Sequence, residues 1–173
     1  MAGSNVLRSN SSGAGNTALG LNALKFKTAG GDNTALGADA QQFNTAGGNT
    51  AVGIAALQFN TVGGNNTAVG SDMLEKNTTG IQNTAVGSGA VQSTTIAGGN
   101  TATGSFALQN NNTGGANTAG ALEQNTTGGS NTGSNNTSVR FSALLRNTSG
   151  SAITASGAFA LQNNNTDSGN SGG

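Results

Sequence analysis

Asp39 and Asp72 are the side chains best placed for chemistry, because they fall at the same slot of a seventeen-residue repeat and paired carboxylates can do general acid and base work. Two coils apart at the strand spacing, they would stand about 9.6 Å from each other. Asp is ordinarily a solvated surface residue, so the expectation is two isolated acids rather than a working pair. The partners that nucleophilic or zinc chemistry requires are missing from the composition. The 173 residues include no His, Cys, Tyr or Trp, and no Ser-His, Cys-His or zinc-ligand constellation can be built without them. Gly30-Gly31-Asp32 has the residue types of a calcium-binding β-roll turn but not its Gly-Gly-x-Gly-x-Asp spacing, and the chain holds only six acids. Asn77-Thr78-Thr79 and Asn147-Thr148-Ser149 are glycosylation sequons, which any Asn-Thr repeat generates automatically. The expectation is a non-enzymatic protein with no cofactor and no metal.

What positions these residues is the repeat itself, Asn-Thr-Ala-(Val/Leu)-Gly-x-x-Ala-Leu-Gln-x-Asn-Thr-x-Gly-Gly-x. Full copies begin at residues 16, 33, 49, 66, 83, 100, 117, 136 and 153, after a partial copy over 1–15. A short, steady period implies stacked coils, each contacting only its neighbours, in a single repeat domain over 1–173. Composition alone, with 7% charged residues and 30 Gly, would also suit a disordered tract. Disorder has no reason to return Leu or Val to one slot every seventeen residues. Equal numbers of basic and acidic residues give a formal net charge of zero, which leaves no electrostatic case for nucleic acid or anionic membrane. Met1 to Arg8 does not have the layout of a signal peptide, and no stretch of 18 apolar residues occurs to span a membrane.

Within a copy, Thr50-Ala51-Val52-Gly53 is a short β-branched run ending at Gly, and Ala56 to Thr61 is a second extended run before Gly63-Gly64. The pattern predicts an all-β parallel solenoid, a β-roll of nine to ten coils with two short strands in each. At about 4.8 Å per coil, nine copies would extend roughly 43 Å. Slot four (Leu19, Leu36, Val52, Val69, Val86) and slot nine (Leu24, Leu57, Leu74, Val91, Leu108, Leu122) carry the larger apolar residues and are the expected core. Ala at slots three and eight suits a narrow lumen. Slots one and two stack as Asn16-Thr17, Asn33-Thr34, Asn49-Thr50, Asn66-Thr67, Asn83-Thr84 and Asn100-Thr101, predicting Asn and Thr ladders whose side chains bond the next copy of themselves. The Gly-Gly pair, as in Gly30-Gly31, is expected to supply the positive φ of a corner. So few apolar residues per coil set against the backbone entropy of ordering it predict association, side by side or end to end.

The run Gly15-Asn16-Thr17-Ala18-Leu19-Gly20-Leu21-Asn22-Ala23-Leu24 resembles the Asn-Thr-Ala-Leu-Gly repeats of some phage and bacterial fibre proteins. More loosely, the chain resembles the β-roll heads of trimeric autotransporter adhesins. The resemblance implies a left-handed β-roll in a trimeric, extracellular fibre or adhesive head, on a virion or cell surface, with a surface or host ligand as a further partner. The chain ends suggest a second mode: partial coils at both termini would complete each other in a head-to-tail filament. Phe26, Phe43 and Phe59 share slot eleven, which turns polar at Lys76, Ser93 and Asn110, and predict either an aromatic contact strip or a local widening of the core. The Thr columns at slot two and slot thirteen (Thr28, Thr45, Thr61, Thr78, Thr95) raise ice binding as the alternative function. Their separation by the Gly-Gly corner, and the lack of recurring Thr-x-Thr pairs, argue for structural Thr instead.

Overall fold

The computed structural model describes residues 3–26, 29–92, 96–109, 111, 113–120, 132–140, 142–144, 147–164 and 168–172. Thr28, Ser93, Thr95, Asn110 and Leu122 lie outside them. The chain is a parallel β-solenoid with a 17-residue spacing. Its strands are β1 (Thr17–Leu19), β2 (Thr34–Leu36), β3 (Thr50–Val52), β4 (Thr67–Val69), β5 (Thr84–Val86), β6 (Thr101–Thr103), β7 (Thr118–Gly120), β8 (Thr137–Ser138), β9 (Thr154–Ala155) and β10 (Ser171–Gly172). They form one sheet in sequence order. Thr stacks on Thr and Ala on Ala at every step from β1 to β7, including the sixteen-residue step from Thr34 to Thr50. No helix of the described residues is long and apolar enough to cross a membrane.

Strands β1 to β6 are three residues long because Gly ends each of them. At Gly20, Gly37, Gly53, Gly70, Gly87 and Gly104 φ lies between 120° and 143°, a region that only Gly enters readily. Space is closed there as well, since a Cβ on Gly53 would stand 2.1 Å from the Gly70 carbonyl oxygen of the next coil. The Gly-Gly corner works differently from expectation. Gly30 is required by close approach, 2.1 Å from a built Cβ to the Ala46 carbonyl oxygen. The positive φ falls at the last residue of each copy, where Gly15, Asp32, Gly48, Asn65, Gln82, Gly99 and Ala116 all lie between 54° and 73°.

Among the described residues the second strand of each coil does not form. Slots six to eleven are consecutive turns in which slots seven and nine take left-handed φ, as at Asn22 (55°) and Leu24 (50°), Ala55 (55°) and Leu57 (54°), or Asp72 (56°) and Leu74 (50°). Alternating handedness splits the backbone hydrogen bonds into two sets. Leu57 and Phe59 donate to the coil above, at Met73 (2.8 Å) and Glu75 (2.9 Å), whereas Gln58 and Asn60 close turns within their own coil, at Ala55 and Leu57 (both 3.2 Å). Stacking is therefore preserved without β-geometry. Left-handed conformations of branched residues are costly, by roughly 1–2 kcal/mol per residue, and burial of the Leu side chain is what offsets this.

The core is one column of Ala facing another of Ala and Leu. Ala35, Ala51, Ala68, Ala85 and Ala102 of slot three are fully buried, and so are Leu24, Leu57, Leu74 and Val91 of slot nine, with Leu108 nearly so. Slot four is not core. Leu19, Val52, Val69 and Val86 are 37–48% exposed, and Leu36 is half-buried. In a strand successive side chains alternate between faces, so slots three and four cannot both point inward. A lumen already filled by Leu from the opposite wall takes the methyl group and turns the larger side chain out. At slot nine of the second copy the core accepts Gln41, fully buried. Its Nε2 donates to the carbonyls of Thr34 (2.9 Å) and Asn49 (3.0 Å), and its Oε1 accepts from Asn44 Nδ2 (2.7 Å).

Candidate interaction face

Two amide columns line the inside of the solenoid and define which face is left for contacts. At slot one, the Oδ1 of each Asn accepts the backbone N–H of the residue stacked above it. This bond recurs at 2.9–3.0 Å from Asn16–Asn33 through to Asn136–Ile153. The Nδ2 donates to the carbonyl that precedes the next copy, as from Asn66 to Gly80 (2.8 Å) and from Asn83 to Ala97 (2.9 Å). The Asn column is thus mainly a side-chain-to-backbone seam. Side-chain-to-side-chain bonds accompany it at Asn33–Asn16 and Asn100–Asn83, both 3.0 Å.

The second column, at slot twelve, was not singled out from the sequence, although Asn is part of the repeat there. Asn44, Asn60, Asn77, Asn111 and Asn147 are buried, and Asn60, Asn77 and Asn147 donate to the same carbonyls as slot one. Gly80 O accepts from Asn66 (2.8 Å) and Asn77 (2.9 Å), and Gly150 O from Asn136 (2.9 Å) and Asn147 (2.7 Å). Both lone pairs of a buried carbonyl are filled in this way, which removes the penalty of burying it. The column also bonds along itself, from Asn60 to Asn44 (2.9 Å) and from Asn77 to Asn60 (2.8 Å). It pauses at Asn77, whose buried Oδ1 has no partner; the sequence has Thr94 where the next amide would stand.

Outside, slots two and four form the outer face of the sheet, on either side of the inward slot three. Thr17, Thr34, Thr50, Thr67, Thr84, Thr101 and Thr118 run along it in register, exposed or half-exposed, beside Leu19, Leu36, Val52, Val69 and Val86. The expected Thr ladder is not made: among the described residues no hydrogen bond links one Thr of this column to the next. At slot thirteen the hydroxyls of Thr45 and Thr61 instead donate to the backbone carbonyls of Thr61 and Thr78, the latter at 3.1 Å. No strand of the sheet contains a charged residue.

The charges sit elsewhere. Asp39 Oδ1 accepts from Asn22 Nδ2 and Gln42 Nε2, both at 2.9 Å, and Asp72 Oδ2 from Ser71 Oγ at 3.2 Å. Ala55 occupies the slot between the two acids, and each has its own neutral partners. Among the described residues no three acids stand together as a metal site. Phe26, Phe43 and Phe59 are brought together as expected neighbours, with ring centroids 4.9 and 5.4 Å apart and planes within 15°. Lys25 Nζ stands over the Phe26 ring, 4.8 Å from its centroid. Stacking occupies the ring faces with one another, so what the strip offers outward is ring edge and not a platform for a planar ligand.

No family model matches this chain, and no curated protein and no solved structure matches it.

Proposed function

We propose that this chain is a non-enzymatic structural protein, a subunit of an extracellular fibre or filament built by association of β-solenoids with one another, with adhesion as its role at a virion or cell surface. The observation that carries this reading is the slot-one seam, which ties coil to coil by the same buried bond from Asn16 to Ile153. Uniform longitudinal bonding of this kind gives a stiff rod whose length is set by repeat number, which is what a fibre needs. The resemblance of the Asn-Thr-Ala-Leu-Gly repeats to fibre proteins supports the same conclusion, as does the count of nine to ten coils read from the sequence. The partner is another copy of the chain, as a head-to-tail filament or a homotrimer. Averaged cryo-electron micrographs test this. Rods or filaments with an axial repeat near about 4.8 Å are the expected result; compact particles without that repeat overturn it.

One observation favours a second reading, an ice-binding solenoid. The slot-two Thr hydroxyls face solvent in a straight column, make no ladder with one another, and stand beside methyl-bearing Val. A thermal hysteresis assay separates the two: depression of freezing below melting supports the ice reading, and its absence removes it.

A further inference from the structure

We infer that the outer face of the sheet, the paired columns of slots two and four, is the surface on which a second copy of this chain packs side by side. This rests on the reading of the chain as a self-associating structural rod and names the surface responsible. Three properties of the face select a copy of the chain over other occupants. Its apolar column is exposed from β1 to β5, with Leu19 at 48%, Val69 at 37% and Val86 at 40%, before the same slot passes to Thr103 and Gly120. Charge is absent from every strand of it, whereas the turn side of the coils carries Lys25, Asp39, Asp72, Glu75 and Lys76. Above all, its columns repeat once per coil. An occupant that meets every rung must share that repeat, and the chain meets it by construction. Two such faces of short Thr, Val and Leu side chains can interdigitate as a dry seam, as identical strands do in steric zippers.

Size sets the strength. A strip three residues wide over the seven strands from β1 to β7 has a plane of roughly 10 by 30 Å at strand dimensions. Even with its flanks this is at or below the lower end of specific interfaces, which bury about 600 Å² or more per partner. A single pair is therefore weak and concentration-dependent, and its affinity rises with every coil added in register.

Sedimentation equilibrium over a wide concentration range tests the inference, using the intact chain, the double variant Val52→Lys/Val69→Lys, and Val62→Lys as a control that places one such charge on an exposed site off the face. The intact chain is expected to self-associate reversibly. The double variant should weaken association by about tenfold or more, because an ammonium buried without a counter-charge is strongly disfavoured, while Val62→Lys leaves it unchanged. Circular dichroism establishes that all three fold alike; if the double variant is unfolded, Val52→Thr/Val69→Thr replaces it, with weaker association again expected. The inference is overturned if the intact chain stays monomeric at the highest concentration, or if Val62→Lys disrupts association as much as the double variant. It is also overturned if a monomeric chain shows thermal hysteresis that Val69→Lys abolishes, since ice is then the occupant. A monomeric rod in the micrographs sinks only this face. A particle with no axial repeat sinks the structural reading as well.

Discussion

Asn66 and Thr67 are neighbours in the chain, recur together in copy after copy, and stand in opposite surroundings. Asn66 is fully buried, its amide joined to Asn83 N–H at 2.9 Å and Gly80 O at 2.8 Å in the coil above. Thr67 is half-exposed, and its hydroxyl reaches no other Thr of its column. Both stack on an identical residue one coil away, so repetition alone does not make a ladder. The difference is in what the backbone around each column needs. Near slot one the chain turns from the Gly corner into the strand, leaving an N–H and a carbonyl that no strand partner reaches, and a short amide satisfies both at once. At slot two the backbone is already paired in the sheet, and the hydroxyl has only water to bind. The inner seam holds the rod together, and the outer face is free to meet something else.

The largest effect should come from breaking the seam. Asn66→Leu keeps the branched side-chain skeleton without its polar atoms and strands the buried Asn83 N–H, while Gly80 O retains only Asn77. We expect a loss of about 3–4 kcal/mol, from the orphaned donor together with two lost bonds. Urea unfolding followed by circular dichroism measures it, since the chain has no Trp to report. A loss below about 1 kcal/mol would mean that water replaces the amide and the seam is not what holds the coils.

Next comes the apolar wall opposite. Leu57→Ala removes a fully buried side chain and should cost about 2–3 kcal/mol by the same assay. Val52→Ala, made on the outer face, should stay near zero in a dilute monomer. Equal effects at the two positions would show that slot four is covered even at low concentration. Phe43→Ala tests an intermediate case. It deletes the middle ring of the aromatic stack and with it two ring pairs, for an expected loss of about 1–2 kcal/mol. Its association constant should match the intact chain, because the strip is held by its own stacking.

The solenoid, its period and the inward Leu of slot nine could be read from the chain because stacking projects each slot into a column whose residue types repeat. Which face a column took was harder. Placing both slot three and slot four inside treated Ala51 and Val52 by hydrophobicity alone, whereas strand alternation forces a choice and the opposing Leu57 leaves room only for Ala. The second strand failed for a related reason. Ala56 to Thr61 has ordinary residue types, and nothing in Leu57 or Gln58 announces a left-handed backbone, which the tight return of the coil imposes. Gln41 is polar by type, and only its place in the Leu column signals that an amide is buried there. The slot-twelve Asn column was visible in the repeat, but the shared carbonyl that explains it, Gly80 between Asn66 and Asn77, exists only once the coils are stacked.

The smallest expected effect is the sharpest test of the comparison. Thr67→Val exchanges a hydroxyl for a methyl of the same shape on a strand position that suits either residue. If the outer Thr column is unbonded, the monomer should change by no more than about 0.5 kcal/mol, as for other surface positions. Self-association through the sheet face should strengthen, because the substitution extends the apolar column by one residue. A destabilisation above about 1 kcal/mol would instead restore the hydroxyl ladder and put Thr67 in the same structural role as Asn66. Measured beside Asn66→Leu, this variant sets two adjacent residues of one repeat against each other under identical conditions. The ratio of their effects then reads directly how much of the stacking energy lies inside the coil.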